Sequence, residues 1–150
     1  MGQVIPTKIY GIQCVPLRVI PDDRGAVLHM LRSDAPHFSS FGEVYFSEIN
    51  SGIVKAWKRH LKMTQYFAVP VGRVLFVFQD NRPNSPSHGT TQEVILGRPD
   101  AYSLLIVPPM IWYGFKGMAE CSSLIANCAS LTHELGESEK SELSPMGYQW

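Results

Sequence analysis

The chain has 150 residues, of which 45% are apolar and 17% are charged. This length and composition suit one folded domain over residues 1–150 with a real hydrophobic core, and they exclude an intrinsically disordered protein. Thirteen basic side chains balance thirteen acidic ones, so the net charge gives no argument for a nucleic-acid or membrane partner.

The cysteines and the N-terminus both favour a cytoplasmic protein. Cys14, Cys121 and Cys128 are odd in number and lack the spacing of a metal site, so we expect reduced, buried thiols. The N-terminal residues show no basic segment leading into an apolar run, and no apolar stretch reaches the length of a membrane span. We therefore expect neither a secretory signal nor a membrane anchor.

Short strands separated by turn residues dominate the chain. In chain order they are predicted at residues 4–20 (one or two strands interrupted by prolines), 26–31, 43–50, 53–60, 65–71, 73–79, 93–97, 103–107, 111–117 and 121–131. About ten short strands with turn signals between them predict an all-β sandwich or barrel. In the strand at 43–50, Val44 and Phe46 are the apolar positions of the alternation. Residues 133–143 look helical but are polar nearly all round, so we expect a short surface helix or an ordered tail there.

The stretch from Gly52 to Gly72 organises the chain. It reads as two strands flanking a polar turn at residues 61–64. Side chains alternate between the faces of a strand, so Lys58 and His60 point to one side while Trp57 points to the other. If that side faces a cavity, an amine and an imidazole stand next to each other inside it.

The spacing in this stretch resembles the first motif of the cupin superfamily, in which a His-x-His pair and a glutamate stand between two glycines. The motif positions are taken, in order, by Gly52, Lys58, His60, Gln65 and Gly72. The second cupin motif is matched by Pro108, Met110 and Tyr113. Metal-binding cupins hold their ion with three histidines and the glutamate, whereas an amine, an imidazole, an amide and a phenol are a poor set for a transition metal. The resemblance therefore implies a jelly-roll barrel (a double-stranded β-helix) that uses no metal or other cofactor.

Further motifs resemble the dTDP-4-dehydrorhamnose 3,5-epimerase family of this superfamily, over about residues 20–128. The strongest is the run Asp80-x-Arg82-x-x-Ser85-Pro86-Ser87-x-Gly89, which is similar to the family's Asp-x-Arg-x-x-Ser-Pro-Thr-x-Gly. The other matches, in the family's order, are Asp23-Arg24-Gly25, Gly52-Ile53-Val54-Lys55, Pro108-Pro109 with Gly114-Phe115, and the C-terminal Tyr148-x-Trp150.

The resemblance implies a metal-free, homodimeric enzyme that removes the acidic proton next to a 4-keto group and returns a proton on the other face. In the family a histidine steadied by an aspartate is the base, a tyrosine across the sugar ring is the acid, and basic side chains hold the diphosphate. Here the catalytic histidine aligns with Lys58, a second basic position aligns with Gln65, and the tyrosine falls near Ile125. Glu142 is the nearest acidic residue for the aspartate's role.

Three residues are predicted from this alignment to carry the chemistry. Lys58 would act as a base once burial lowers its pKa, or would stabilise an enolate; the alternative is a salt-bridged lysine at the barrel mouth. His60 would shuttle protons, or would be a hydrogen-bonded structural histidine. Tyr113 would be the acid, or would be a core aromatic whose hydroxyl is satisfied.

Four further residues are predicted to bind the substrate. Arg24 and Lys55 would hold phosphate oxygens, for which guanidinium and ammonium groups are suited. Gln65 and Asn127 would be polar liners of the same cavity. Arg82, by contrast, is expected to pair with Asp80 and fix its turn.

The principal hypothesis is a metal-independent epimerase or isomerase that abstracts a proton alpha to the carbonyl of a nucleotide-linked 4-keto-6-deoxy sugar, in deoxysugar or cell-surface polysaccharide biosynthesis. We expect it to be cytoplasmic and homodimeric, without a nucleic-acid or membrane partner. The alternative is a non-catalytic sugar-nucleotide-binding cupin that has lost the His, Tyr and Asp catalytic set. A metal-dependent cupin dioxygenase is disfavoured because the ligands are missing.

Overall fold

The computed structural model describes residues 5–150, and regular structure in this range is entirely β. The strands, in chain order, are β1 (Gln13–Pro16), β2 (Val19–Asp22), β3 (Gly25–Leu28), β4 (Glu43–Ile49), β5 (Val54–His60), β6 (Gln65–Val71), β7 (Arg73–Asp80), β8 (Thr90–Gly97), β9 (Ser103–Val107), β10 (Trp112–Gly117), β11 (Ser123–Ala129) and β12 (Ser138–Lys140). The predicted first strand begins at residue 4, which lies outside the described residues. Within residues 5–150, the structure contains no helix that could cross a membrane.

Ten strands form two antiparallel five-stranded sheets that enclose the core. The first sheet has the order β1-β9-β6-β11-β4 and the second has the order β12-β5-β10-β7-β8, while β2 and β3 form a separate hairpin. The main core cluster takes apolar side chains from both sheets, among them Phe67 and Ile125 from the first and Phe76, Tyr113 and Phe115 from the second. The all-β sandwich or barrel that the strand pattern predicted is confirmed.

The apolar positions of the alternation along β4 lie on the outer face of the sheet. Val44 and Phe46 are 52% and 62% exposed on the outer face of the sheet. Their neighbours Tyr45 and Ser47 point inward and line a cavity. The predicted strand is confirmed, and its polar face is turned inward because β4 is the last strand of its sheet and borders a polar cavity.

Gly72 is required at the tight connection between β6 and β7. Its φ is +82°, a region that side-chain-bearing residues rarely adopt. A Cβ at this position would lie 2.8 Å from Cα of Ser123, so backbone as well as side chain would have to move. The local backbone conformation and the close approach of Ser123 therefore explain why the first cupin motif ends on a glycine in this chain.

The C-terminal segment, expected to be either a helix or a tail, is a tail that extends the second sheet. Ser138–Lys140 pairs with β5, placing Lys140 opposite Lys58. The open edge of β5 satisfies the backbone groups of this polar segment, which removes the advantage of a helix. The tail ends on Trp150, whose ring lies 5.4 Å from that of Trp57 on the outer face of β5.

The turn between β7 and β8 is fixed by a buried carboxylate. Asp80 is fully buried and accepts hydrogen bonds from Arg82 Nε and Nη2 at 2.8 Å, which confirms the predicted pairing. It also accepts bonds from the hydroxyls of Ser85 and Ser87, both at 2.6 Å. Burial alone would raise the pKa of Asp80, but these hydrogen bonds outweigh burial and hold that pKa well below its usual range.

The cysteines of the described chain are all free thiols. Cys14 and Cys128 are buried, as predicted, and burial raises the pKa of both. Cys121 is exposed, and the expectation that it would be buried was wrong because it lies in the turn before β11 and not on the strand itself.

Candidate active site

A cavity of about 590 Å³ opens between the two sheets. From strands β5 and β10 of the second sheet, it is lined by Lys55, Ala56, Trp57, Lys58, Tyr113 and Phe115. From the first sheet, it is lined by Tyr45, Ser47, Phe67, Ile125 and Asn127. The C-terminal segment contributes Lys140, Ser141 and Glu142. A second cavity of about 650 Å³ lies between β1 and the loop at residues 29–37, and it contains none of the predicted site residues. The cavity between the sheets is therefore the candidate active site.

Lys58 occupies the centre of the wall formed by the second sheet. In the sheet register it lies directly opposite Tyr113 on β10 and Lys140 on β12. Residues paired in this way share a face, and all three line the cavity. Burial lowers the pKa of Lys58, and the nearby charge of Lys140 lowers it further. A lower pKa makes the neutral amine, which can accept a proton, accessible closer to neutral pH.

His60 lies behind this wall in a buried hydrogen-bonded chain. Its Nδ1 is 2.7 Å from Oε2 of Glu137, and its Nε2 is 3.2 Å from the hydroxyl of Tyr113. The other oxygen of Glu137 accepts the backbone N–H groups of Lys62 and Met63 at 3.1 and 3.0 Å. Three residues from three separate segments thus form one continuous chain of hydrogen bonds from the cavity wall to the C-terminal segment.

The protonation of this chain follows from its partners. Burial opposes the charge on Glu137, but the bonds from His60 and from two backbone amides outweigh it and lower the pKa of the carboxyl, so Glu137 is ionised. Burial lowers the pKa of His60, so the imidazole is neutral. The ionised Glu137 accepts from Nδ1–H, which leaves Nε2 as an acceptor. The hydroxyl of Tyr113 therefore donates to Nε2, and burial, which raises the pKa of Tyr113, keeps that proton in place.

The wall formed by the first sheet carries an amide and a phenol. Asn127 and Tyr45 are register partners on β11 and β4, and Nδ2 of Asn127 donates to the Tyr45 hydroxyl at 2.6 Å. The same Nδ2 also donates to Oε1 of Gln65, which lies behind Asn127. Nε2 of Gln65 and Oδ1 of Asn127 are buried and have no hydrogen-bond partner among residues 5–150. Burial raises the pKa of Tyr45.

The structure brings most of the predicted site residues together. Lys55, Lys58, Tyr113 and Asn127 line the cavity, and His60 and Gln65 contact Tyr113 and Asn127 from behind. Lys55 Nζ donates to the backbone oxygen of Glu48 at 2.5 Å, so a side chain of the second sheet contacts β4 of the first.

Arg24 is the one predicted site residue that lies apart from the cavity. It stands at the tip of the β2–β3 hairpin, where it pairs with Asp22 at 2.7 Å, and its side chain is 85% exposed. The hairpin pairs with neither sheet of its own chain, so nothing in the described chain directs Arg24 toward the lysines.

Sequence reasoning missed three residues of the site. Tyr45 was overlooked because the sequence analysis singled out only the apolar positions of β4. Lys140 and Glu137 were overlooked because the C-terminal segment carries no strand pattern, and Glu137 reaches His60 across 77 positions of sequence. Glu142, named from the sequence as the nearest acidic residue, does line the cavity, but Glu137 is the carboxylate that contacts the histidine.

The residues between positions 5 and 150 do not bring three or more His, Cys, Asp or Glu side chains together as metal ligands. His60 has a phenol and a carboxylate as its neighbours, and the amine of Lys58 stands beside them. The groups that face the cavity are thus suited to exchanging protons and to binding an anion.

Comparison with known proteins identifies sugar epimerases and isomerases as relatives of this chain. No family model matches the chain. A dTDP sugar isomerase from Desulfovibrio desulfuricans has a structure with a TM-score of 0.90 and 52% sequence identity, over 91% of this chain and 87% of the other. The probable low-salt glycan biosynthesis epimerase of Haloferax volcanii is 30% identical over 122 residues, which are 80% of this chain and 78% of that protein. The epimerase RmlC of Legionella pneumophila, solved with dTDP-4-keto-L-rhamnose, shares the fold with a TM-score of 0.84 at 18% identity, over 99% of this chain and 82% of the other.

The two facing sheets and their internal cavity define a cupin jelly-roll barrel of the sugar-epimerase type, as the motif spacing predicted. The chain belongs to the dTDP-4-dehydrorhamnose 3,5-epimerase family of sugar epimerases and isomerases. It is accordingly an epimerase-like enzyme. The non-catalytic binding cupin, which was the alternative, gains no support from these relatives.

Proposed function

We propose that the protein catalyses the epimerisation or isomerisation of a nucleotide-linked 4-keto-6-deoxy sugar by removing a proton alpha to the carbonyl. The observation that carries this proposal is the half-buried amine of Lys58 in a cavity between two sheets, with its pKa lowered by burial. The relatives named above include a dTDP sugar isomerase, a probable glycan biosynthesis epimerase and an epimerase solved with dTDP-4-keto-L-rhamnose, which supports the substrate assignment.

Lys58 acts as the base in the proposed reaction. Its neutral amine takes the proton from the carbon next to the 4-keto group, the C–H electrons move into the carbonyl, and an enolate forms. The new ammonium stands beside the enolate and stabilises its charge. Because Lys58 and Tyr113 are paired across the β5–β10 ladder, the proton then has a route along Tyr113 to Nε2 of His60, where Glu137 stabilises the imidazolium.

The positive groups at the cavity suit the diphosphate of a sugar nucleotide. Lys55 and Lys140 line it beside Lys58, and Glu142 is the one carboxylate among the described lining residues. Ammonium groups placed this way attract phosphate oxygens and hold the sugar over the base. Asn127 completes the polar lining, and its buried Oδ1, which has no hydrogen-bond partner among the described residues, offers an acceptor to a ligand.

We further propose that the protein acts as a cytoplasmic homodimer of single-domain chains. Val44 and Phe46 form an apolar strip on the outer side of β4, whose edge is unpaired in the described chain. In the proposed dimer a second copy covers this strip, and Arg24, at the exposed tip of a hairpin that pairs with neither sheet of the described chain, holds phosphate in the partner's cavity. The free thiols are compatible with a reducing compartment.

Solvent exchange tests the proposed reaction. The purified protein is incubated in heavy water with a panel of dTDP- and GDP-linked 4-keto-6-deoxy sugars, and deuterium at C3 and C5 is followed by NMR. We expect incorporation with at least one sugar and a fall of about 10²- to 10⁴-fold in the Lys58→Met variant. The matched control is Lys116→Met: Lys116 is on β10 next to the inward-facing Phe115, so its side chain lies on the outer face of the same sheet. Absence of exchange with every sugar would refute the proposal.

A further inference from the structure

Inversion of a carbon centre needs one proton removed from one face and another delivered to the opposite face. The groups assigned above to proton removal all lie on one side: Lys58 on β5, Tyr113 on β10 and His60 at the end of β5 belong to the second sheet. A sugar ring held in the cavity between the sheets therefore meets the base from one side. The proton that completes an inversion has to come from the first sheet.

The wall formed by the first sheet offers one suitable group. Its lining side chains are Tyr45, Ser47, Phe67, Ile125 and Asn127. Among these described residues only the phenol of Tyr45 is acidic enough to protonate an enolate carbon at a useful rate, because a serine hydroxyl and an amide are far weaker acids. Tyr45 and Lys58 thus face the same cavity from opposite sheets.

The hydrogen bonds of Tyr45 leave its own proton available. Asn127 Nδ2 donates to the phenol oxygen at 2.6 Å, so this bond uses a lone pair of the oxygen and not its hydrogen. Within the described residues, no acceptor is recorded for the Tyr45 O–H. The contrast with Tyr113 is direct, because the proton of Tyr113 is directed at Nε2 of His60. Of the two cavity tyrosines, Tyr45 is the one with a proton free for a ligand.

We propose that Tyr45 is the acid that delivers the second proton, from the wall opposite Lys58. The inference rests on the proposed epimerase function. In this step the enolate reforms the carbonyl, its carbon takes the proton from Tyr45 to form the new C–H bond, and the Tyr45 O–H bond breaks. The phenolate that remains is stabilised by the N–H of Asn127, and it regains a proton from water at the open end of the cavity. Overall one proton enters at Tyr45 and one leaves through Lys58, so the enzyme is restored.

Asn127 and Gln65 act as positioning residues in this arrangement. The amide of Asn127 bridges the Tyr45 hydroxyl and Oε1 of Gln65, which fixes the direction of its N–H group. The register pairing of Asn127 with Tyr45 on adjacent strands keeps the two side chains on the same face. Burial, which raises the pKa of Tyr45, keeps the phenol protonated until the enolate forms.

Tyr45→Phe separates the two half-reactions. In heavy water the wild-type protein is expected both to exchange and to invert the carbon. The variant retains the base, so it should still exchange deuterium into the uninverted substrate within about tenfold of the wild-type rate, while inversion falls by about 10²-fold or more. Both rates are read from the same NMR sample, and thermal unfolding shows that the variant is folded.

Two matched variants complete the test. Tyr10→Phe removes the hydroxyl of a tyrosine that is 66% exposed, and it should leave both rates unchanged. Tyr113→Phe alters the base side, so exchange and inversion should fall together.

Three results would overturn the role of Tyr45: inversion by Tyr45→Phe within threefold of wild type, equal loss of exchange and inversion in folded Tyr45→Phe, or exchange without inversion in Tyr113→Phe. Wild-type exchange without any inversion would also overturn it and leave the proton-abstraction proposal intact. Absence of wild-type exchange with every sugar would instead refute the epimerase function itself.

Discussion

Replacing Glu137 with glutamine changes one atom of the buried chain that holds His60. The side chain of Glu137 is 6% exposed, and its carboxylate accepts three hydrogen bonds, from Nδ1 of His60 and from two backbone amides. A glutamine oxygen can keep the two amide bonds, but its NH₂ group then meets the Nδ1–H of His60. Two donors face each other, so the imidazole has to move its proton to Nε2.

The energetic cost follows from replacing a hydrogen bond to a buried carboxylate with a weaker bond between neutral groups. A hydrogen bond to a charged, buried group contributes about 1.5–3 kcal/mol, so Glu137→Gln should lower the free energy of unfolding by about 2 kcal/mol at pH 7. With a urea m-value of about 2 kcal/mol per M for a chain of this size, the unfolding midpoint should fall by about 1 M. The shifted proton on Nε2 also blocks the route from Tyr113, so turnover should fall by about 10²-fold.

Urea unfolding followed by tryptophan fluorescence measures the stability term, and the solvent-exchange assay measures the turnover. The control is Glu139→Gln, two residues further along the chain on β12, where the carboxylate pairs with Arg59 and is 46% exposed. An ion pair at such a site contributes at most about 1 kcal/mol, and its loss should leave turnover unchanged. A Glu137→Gln protein with the stability and turnover of the Glu139→Gln control would refute the assignment of the buried pair.

Three further predictions concern charge and packing. The value of kcat/KM should rise with pH as Lys58 loses its proton, with an apparent pKa below 10.5. Lys140→Gln should move this apparent pKa upward because it removes a positive charge that lies opposite Lys58. An unchanged pH profile in the variant would contradict the pairing of the two lysines. Asp80→Asn should lower the free energy of unfolding by about 3 kcal/mol at pH 7. Because the pKa of Asp80 in the folded protein lies below its unfolded value of about 3.9, this stabilisation is present above pH 4 and is lost on acidification. Urea midpoints of variant and wild type that differ equally at pH 7 and pH 2.5 would contradict this prediction. Trp57→Ala should lower the free energy of unfolding by about 3–5 kcal/mol, because Trp57 is 3% exposed and its ring packs on Tyr148 and Trp150 of the C-terminal tail. A decrease below 1 kcal/mol in urea unfolding would show that the tail is not docked on this ring.

Local sequence patterns predicted the parts of the site that lie on one strand. The alternation along β5 placed Lys58 and His60 on one face, and the structure directs both to the interior, one to the cavity and one to the chain behind it. The run from Asp80 to Gly89 predicted a turn fixed by Arg82, which the hydrogen bonds confirm. These features depend on spacing alone, so a single sequence is enough to reveal them.

The remaining parts of the site depend on contacts between distant segments. Glu137 follows a stretch without periodicity, and only the pairing of β12 with β5 brings it to His60. Tyr45 belongs to a strand whose apolar residues Val44 and Phe46 face outward, so apolar alternation alone does not show that its polar side faces a cavity. Arg24 was predicted in the site from a motif, but its position relative to a cavity depends on the hairpin, which stands apart from both sheets of its own chain.

The position of a bound sugar relative to Lys58 tests the central claim most directly. A crystal structure with a dTDP-6-deoxy sugar that carries a 4-hydroxyl in place of the ketone would show the ring without turnover. We expect the ring between the two sheets, with Lys58 Nζ about 3.5 Å from C3 or C5 on one face and the Tyr45 hydroxyl on the other. A sugar ring outside this cavity, or a Lys58 that contacts only phosphate oxygens, would contradict the account.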